Sequence, residues 1–266
     1  MTLKRRRRLI LLSAAATLLA VAAFAAAIPW LTRGDDRQTP PVLQAWAEPR
    51  PTPAAVLRVA TLNLAHGRGN TTVQSLVAAE DARANLRAVA RVIVRADPHV
   101  LAVQEGDQRA FWSGRFDHLV YLGEQAGRRY CIHGNHVDGL GLTYGTGLLT
   151  TIEPRAVAAY TFAPSWPTLA KGFTRADLVL GNGRRVVMVA VHLDFASADV
   201  RHDQVTELIE ACADVDAPLV VMGDFNCALQ AEGSPLPRLT EALNLHTWEP
   251  TAEDLVTFPS RQVRID

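Results

Sequence analysis

The stretch from Pro218 to Cys227 sets the tightest limit on how this chain can fold. Pro218 to Met222 is an unbroken apolar run of strand length and reads as a buried strand. Gly223 ends it, and Asp224 and Asn226 follow at once. Two residues apart on extended backbone, their side chains leave the same face. An Asp/Asn pair at the end of a buried strand suits a hard divalent cation or a phosphate. The same pair also suits an Asx-type turn in which both side chains bond only the backbone.

Three more apolar strands end in a polar group. Val56 to Leu64 alternates and ends at Asn63, before the loop residues Gly67 and Gly69. Val100 to Glu105 ends in a carboxylate, and Val186 to His192 in an imidazole. Helices are expected over Glu80–Ala96, stopped by Asp97-Pro98, over Asp199–Ala213, capped by Ser197 or Asp199, and over Leu236–Leu243. Gly145–Thr151 reads as another strand, and Val263–Asp266 as the start of a last one. Phe111 to Gly141 is less regular, and His133, His136 and Asp138 read as a solvated loop cluster there, with a part in shaping the substrate site as the alternative. Strands alternating with helices define an α/β fold, whose strand ends gather a site. One polar strand end is trivial. Four, drawn only from Asn, Glu, His and Asp, supply oxygens for a hard metal and phosphate and an imidazole for proton transfer.

The N-terminus is separate in character. Lys4 to Arg8 is a basic block, and Leu9 to Leu31 follows without a charge. Residues 1–33 therefore read as a signal peptide, with Ala23-Phe24-Ala25 as cleavage region, or as a retained membrane anchor. Basic residues on the N-terminal side keep that end cytoplasmic, so the body is expected to be exported, secreted or periplasmic if cleaved, membrane-bound if not. Residues 34–55, with five prolines after Thr39, read as a linker that packs little against a domain spanning 56–266. Residues 1–33 hold six of the 27 basic residues and no acid, so 21 basic face 27 acidic residues in the rest. An acidic body has no general attraction for nucleic acid. Cys131, Cys212 and Cys227 form neither a disulfide framework nor a zinc pattern.

Thr61-Leu62-Asn63, Val103-Gln104-Glu105, Val191-His192-Leu193-Asp194, Gly223-Asp224-Phe225-Asn226 and Arg264-Ile265-Asp266 occur in this order. Together they resemble the endonuclease/exonuclease/phosphatase superfamily of DNase I-like phosphoesterases. The resemblance implies an α/β four-layer sandwich, two packed sheets flanked by helices, and Mg²⁺- or Mn²⁺-dependent phosphoester hydrolysis. It implies Glu105 as principal metal ligand, with Asn63 beside it on metal or phosphate. Asp224 would orient or deprotonate the attacking water, and Asn226 would bind phosphoryl oxygens or the metal. His192 matches the position that hydrogen-bonds the phosphate or acts as acid. Asp266 matches a carboxylate that pairs with a second histidine. Arg201 and Gln204 resemble the family's Arg-x-x-Gln and read as structural support.

The sequence departs from the family at its end. A Ser-Asp-His-type motif is expected beyond the Ile-Asp strand, and the sequence stops at Asp266, so it reads either as a fragment of a longer protein or as a sandwich cut short at its C-terminus. That departure keeps a second reading open, a non-catalytic binding module of the same fold. The substrate class stays open among lipid head groups, small molecules and nucleic acid.

Overall fold

A computed structural model of the chain describes residues 3–44, 50–69, 76–247 and Thr257. The expected last strand at 263–266, with Asp266, lies outside these residues. Two mixed five-stranded sheets form the body. One contains β2 (Val42–Gln44), β3 (Val59–Asn63), β4 (Val100–Asp107), β5 (Tyr130–Gly139) and β6 (Leu142–Thr150), in the order β2-β5-β6-β4-β3. The other contains β1 (Arg37–Gln38), β7 (Pro154–Thr161), β8 (Gly172–Val179), β9 (Arg185–His192) and β10 (Leu219–Asp224), in the order β1-β7-β8-β9-β10. Each sheet has one parallel pair, β3–β4 and β9–β10, and is otherwise antiparallel. The helices are α1 (Leu3–Leu31), α2 (Ala79–Ala96), α3 (His118–Ala126), α4 (Ala198–Cys212) and α5 (Leu236–Ala242).

Period-two alternation inside apolar strands builds the layers. On β4, Val100 and Ala102 face the other sheet, while Leu101 and Val103 pack with Leu86, Ile93 and Leu119 of α2 and α3. On β9, Met188 and Ala190 face inward, while Val187, Val189 and Val191 pack with Val205 and Leu208 of α4 and Leu239 of α5. Strands buried on both faces need apolar residues at every position, hence the continuous runs in the sequence. The result is the DNase I-like sandwich, with helices, two sheets and helices as its four layers.

Two expectations need correction. Of the expected linker 34–55, residues 34–44 do not simply hang between helix and body. β1 pairs with β7, and β2 pairs with β5, so this segment closes one edge of each sheet. Arg33 fixes its start, donating from Nε to the Phe162 carbonyl at 3.0 Å and from Nη2 to the Thr161 carbonyl at 3.0 Å. Proline suits such edges, where one side of the strand makes no ladder. The stretch 111–141 is also more ordered than its composition implies. It holds α3, capped by Asp117 accepting from the Val120 N–H at 2.9 Å, and the ten-residue β5. His133 and His136 are therefore buried strand residues, not a solvated loop. His136 meets the Thr146 and Thr161 hydroxyls between the sheets, and His133 Nε2 lies 2.9 Å from the Gly106 carbonyl of its own sheet, so a polar sequence hides a buried strand.

Candidate active site

Both parallel pairs run toward the same end of the sandwich. Asn63 pairs in register with Gln104, and Asp224 with His192. Asn63, His192 and Asp224 also share the parity of inward-facing neighbours: Ala60 and Leu62 pack outward on β3, Met188 and Ala190 inward on β9, Val220 and Met222 inward on β10. Glu105 has the wrong parity, because Leu101 and Val103 face the helices. A β-bulge corrects it. Between the pairs Val103–Gly147 and Gly106–Gly145, two β4 residues oppose one on β6. Glu105 takes a left-handed φ of 51° there, and Gly106 turns outward, where a Cβ would stand 2.2 Å from Leu119 Cδ1. Glu105 and Asp107 are thereby both turned inward.

The four strand-end residues meet. Asn63 Nδ2 donates to Asp224 Oδ2 at 2.9 Å. His192 Nε2 stands 3.9 Å from Glu105 Oε1 and 3.9 Å from Asp224 Oδ2. Asp224 Oδ1 accepts the Asn226 N–H at 3.0 Å, so the Asx turn is real, yet it occupies one oxygen and leaves the other in the cleft. Asn226, at φ 51°, donates from Nδ2 to the Leu193 carbonyl at 3.0 Å. Asn63 Oδ1 accepts the Ala65 N–H at 2.8 Å, so its amide oxygen holds the following turn while its NH₂ serves the cleft.

Sequence reasoning missed several residues that complete this cleft. His66 Nε2 lies 3.5 Å from Glu105 Oε2, and its Nδ1 lies 2.7 Å from Asp107 Oδ1. Asp107 is fully buried and accepts from Trp112 Nε1 at 3.0 Å and from the Ser113 hydroxyl. The His66 ring lies edge-on to Trp112 and Tyr144. Lys171 is buried close enough to act electrostatically on both Glu105 and His192. A compositional signal pointed to it: it is the sole lysine outside the N-terminal basic block, in a chain that otherwise uses arginine. Asp107 was legible too, two residues beyond Glu105 on the same strand.

The electrostatics follow from this packing. Burial works against ionisation of Glu105, but His66, Lys171, His192 and the Asn63 amide bring its carboxyl down to about 2. Burial pushes His192 well below the ordinary histidine value, and Lys171 acts in the same direction. The cleft therefore offers an ionised Glu105, a neutral imidazole at His192 and a fixed ammonium at Lys171. Behind it, Asp194 Oδ1 accepts the Ala196 and Ser197 N–H groups and Oδ2 accepts the Thr168 hydroxyl at 2.5 Å. Gln204 accepts the Asp194 N–H at 2.8 Å, and Arg201 donates to its carbonyl at 3.0 Å. These two residues brace the segment after His192, as expected.

Among the described residues, no group of three His, Cys, Asp or Glu side chains closes into a metal cage. The donor set nevertheless fits Mg²⁺ or Mn²⁺, which are commonly held by one or two carboxylates with water and phosphate completing the shell. Glu105, ionised, would be the first carboxylate of such a shell and Asp224, like Glu105 3.9 Å from His192 Nε2, the second.

Fold and cleft together define a two-sheet phosphoesterase-type sandwich with its polar centre at the ends of both parallel pairs. The Endonuclease/Exonuclease/phosphatase family model matches residues 60–266, and the chain belongs to that family, whose fold generally serves hydrolysis of phosphoester bonds. A family protein from Leptotrichia buccalis superposes with a TM-score of 0.54 at 16% identity, covering 70% of this chain and 74% of that one. One from Beutenbergia cavernae gives 0.54 at 17%, covering 70% and 52%. A β-hairpin deletion mutant of Staphylococcus aureus beta toxin gives 0.53 at 11%, covering 72% and 74%. At these identities the likeness concerns the fold. UPF0294 proteins of two Vibrio cholerae strains are 24% identical over 164 residues, 61% of this chain. The matched part spans 56% of their length.

Proposed function

We propose that this chain is a divalent-metal-dependent phosphoesterase acting outside the cytoplasm. The observation that carries the reading is the mutual contact of Asn63, Glu105, His192 and Asp224 at one end of both sheets. Glu105 is the principal ligand for Mg²⁺ or Mn²⁺, with Asn63, Asp224 and Asn226 around it. Bound there, the ion would polarise a phosphoryl oxygen and stabilise the leaving oxygen. Asp224 presents one carboxylate oxygen to the cleft, where it aligns the attacking water and accepts its proton. His192, buried and neutral, hydrogen-bonds a phosphoryl oxygen, and Lys171 places a fixed positive charge beside the phosphate. His66, held by Asp107, keeps Glu105 in place. Asp266 is assigned, by its motif, to the carboxylate that partners a second histidine. The apolar stretch of α1 and the basic block at its N-terminal end support the extracytoplasmic location.

Glu105→Gln keeps the shape and removes the charge. In the full-length protein it is expected to lower Mg²⁺-dependent hydrolysis of bis-p-nitrophenyl phosphate by about 10³-fold, with an unchanged thermal melt. Equal rates for the variant and the native protein, or equal rates in EDTA, would sink the metal assignment.

A further inference from the structure

The junction between α1 and the body contains no tether. Residues 14–26 of α1 are exposed, and its contact with the body begins in its last turn, where Pro29 is buried. Thr32 is fully buried. Its carbonyl accepts the Asp138 N–H at 2.7 Å, and the next residues are held by the Gly34 N–H to His136 carbonyl bond at 2.8 Å and by Arg33. The helix therefore projects from the body at a fixed point. A Cβ on Gly139 would stand 2.9 Å from the Leu31 carbonyl oxygen, which places that point at the β5–β6 turn.

This turn lies at the catalytic end. β6 starts there and pairs Tyr144 with Asp107. The Phe111 N–H donates to Gly141 in the same turn at 3.1 Å. From Phe111 the path to the metal ligand takes three side-chain contacts: to Trp112 at 5.9 Å, to His66 at 5.0 Å, to Glu105 at 3.5 Å. On the other sheet, Trp30 and Arg33 share a surface depression with Pro164 of the β7–β8 loop. That loop is also at the catalytic end, because Gly172 pairs with His192.

The exposed aromatic side chains have the same address. Among the described residues outside α1, the exposed Phe and Trp side chains are Phe111, Trp166 and Phe195. All three sit on the segments just described or directly after His192. Leu140, at the tip of the β5–β6 turn, is exposed too, next to Gly141, which lies against the Phe111 ring. At the end of α1, exposed Trp30 and the cationic Arg33 have the character of residues at a bilayer surface.

We propose that α1 is a retained membrane anchor which holds the catalytic cleft against the bilayer, and that the substrate is the headgroup phosphoester of a lipid in that bilayer. The proposal rests on the phosphoesterase reading for its chemistry and on the α1 junction for its geometry. Leu9 to Leu31 carries no charge and, as helix, spans roughly 35 Å, enough to cross a hydrocarbon core of roughly 30 Å. A body fixed at the end of that helix, with no linker to rotate on, presents its cleft to headgroups rather than to the bulk. Phe111, Leu140 and Trp166 then enter the interface as apolar contacts.

The experiment uses the full-length protein in phosphatidylglycerol/phosphatidylcholine vesicles. Nitroxides are placed, in a Cys227→Ser background, by Phe111→Cys, Trp166→Cys and Arg184→Cys, the last on the β8–β9 turn at the opposite end. The first two labels are expected to be shielded from an aqueous relaxation agent and reached by oxygen, the third fully open to water. Equal aqueous access at all three sites overturns the orientation, whatever the activity. Separately, Phe111→Ser/Leu140→Ser/Trp166→Ser is expected to lower Mg²⁺-dependent release of headgroup phosphoester by at least about tenfold and to leave bis-p-nitrophenyl phosphate hydrolysis unchanged. Hydrolysis of that soluble diester or of DNA, with none of vesicle lipid, overturns the substrate assignment and leaves the phosphoesterase reading standing. Hydrolysis of no substrate overturns both, while the label depths still decide the orientation.

Discussion

Asp107 shows how a residue outside the contact set can govern the site. It is fully buried and serves three donors at once, His66 Nδ1, Trp112 Nε1 and the Ser113 hydroxyl. His66 itself sits at φ 54°, a left-handed position that a non-glycine residue holds only when its surroundings insist. The Asp107 carboxylate supplies that insistence, and the imidazole it fixes stands 3.5 Å from Glu105 Oε2. Asp107→Asn keeps the volume but turns an N–H₂ toward a shell of donors. Breaking a buried charged arrangement this way is expected to cost about 3 kcal/mol of stability, read from urea unfolding, and to weaken Mn²⁺ binding measured by electron paramagnetic resonance. Unchanged Mn²⁺ affinity in a folded variant would show that the His66–Asp107 pair does not set the position of Glu105.

At the level of elements, pairing geometry places the chemistry. Gly223 lies where β10 comes against β9, at φ 151°, and a Cβ there would stand 1.9 Å from the Val191 carbonyl oxygen. Gly223→Ala must push the strands apart just before Asp224. A loss of roughly 3 kcal/mol with disproportionate loss of activity is expected; a variant with native melting and native rate would show that the pair tolerates the spread. The edges matter as well. Removing residues 1–44 deletes β1, β2 and the Arg33 bonds, opening one edge of each sheet. A fall in melting temperature of roughly 5–10 °C is expected, with association through the bared edges, seen by light scattering; an unchanged melt would return this segment to the status of a linker. These elements also mark what the sequence discloses. Strands buried on both faces and helices with one apolar face announce themselves by period, so β4, β9, β10, α2 and α4 were legible, with the polar residues at their ends. The bulge at Glu105 was not, because alternation carries no sign of an inserted residue. β5 was hidden by its own histidines, and α3 by Gly123, which lets the helix approach Cys131 so closely that a Cβ would stand 2.8 Å from its sulfur. His66 left no trace, since its role depends on a partner forty-one residues away.

On the scale of the whole molecule, the two sheets are joined by apolar packing at one end and by polar contacts nearer the cleft. His136 on β5 lies at this seam. Its Nε2 is 2.8 Å from the Thr146 hydroxyl, its Nδ1 3.4 Å from the Thr161 hydroxyl on the other sheet, and Thr146 in turn meets Thr174 across the seam at 2.9 Å. No carboxylate is among these partners. Burial, reinforced by His133 and Lys171, therefore lowers the His136 imidazole to about 3. The sign of the linkage follows. Above pH 6.5 His136 is neutral in folded and unfolded chains alike, and its contribution to stability is complete. Below that value the unfolded chain takes up a proton that the folded chain refuses, so stability falls steadily until the pH nears 3. At pH 5 the loss from this residue is about 2 kcal/mol relative to pH 7.5. His136→Gln keeps a hydrogen-bonding side chain without a titration. It is expected to be less stable than the native protein at pH 7.5 but to lose about 2 kcal/mol less between pH 7.5 and pH 5, measured by urea unfolding at each pH. Parallel losses in the two proteins would place the acid sensitivity of the sandwich elsewhere, in His118 or His192, whose imidazoles burial also holds neutral.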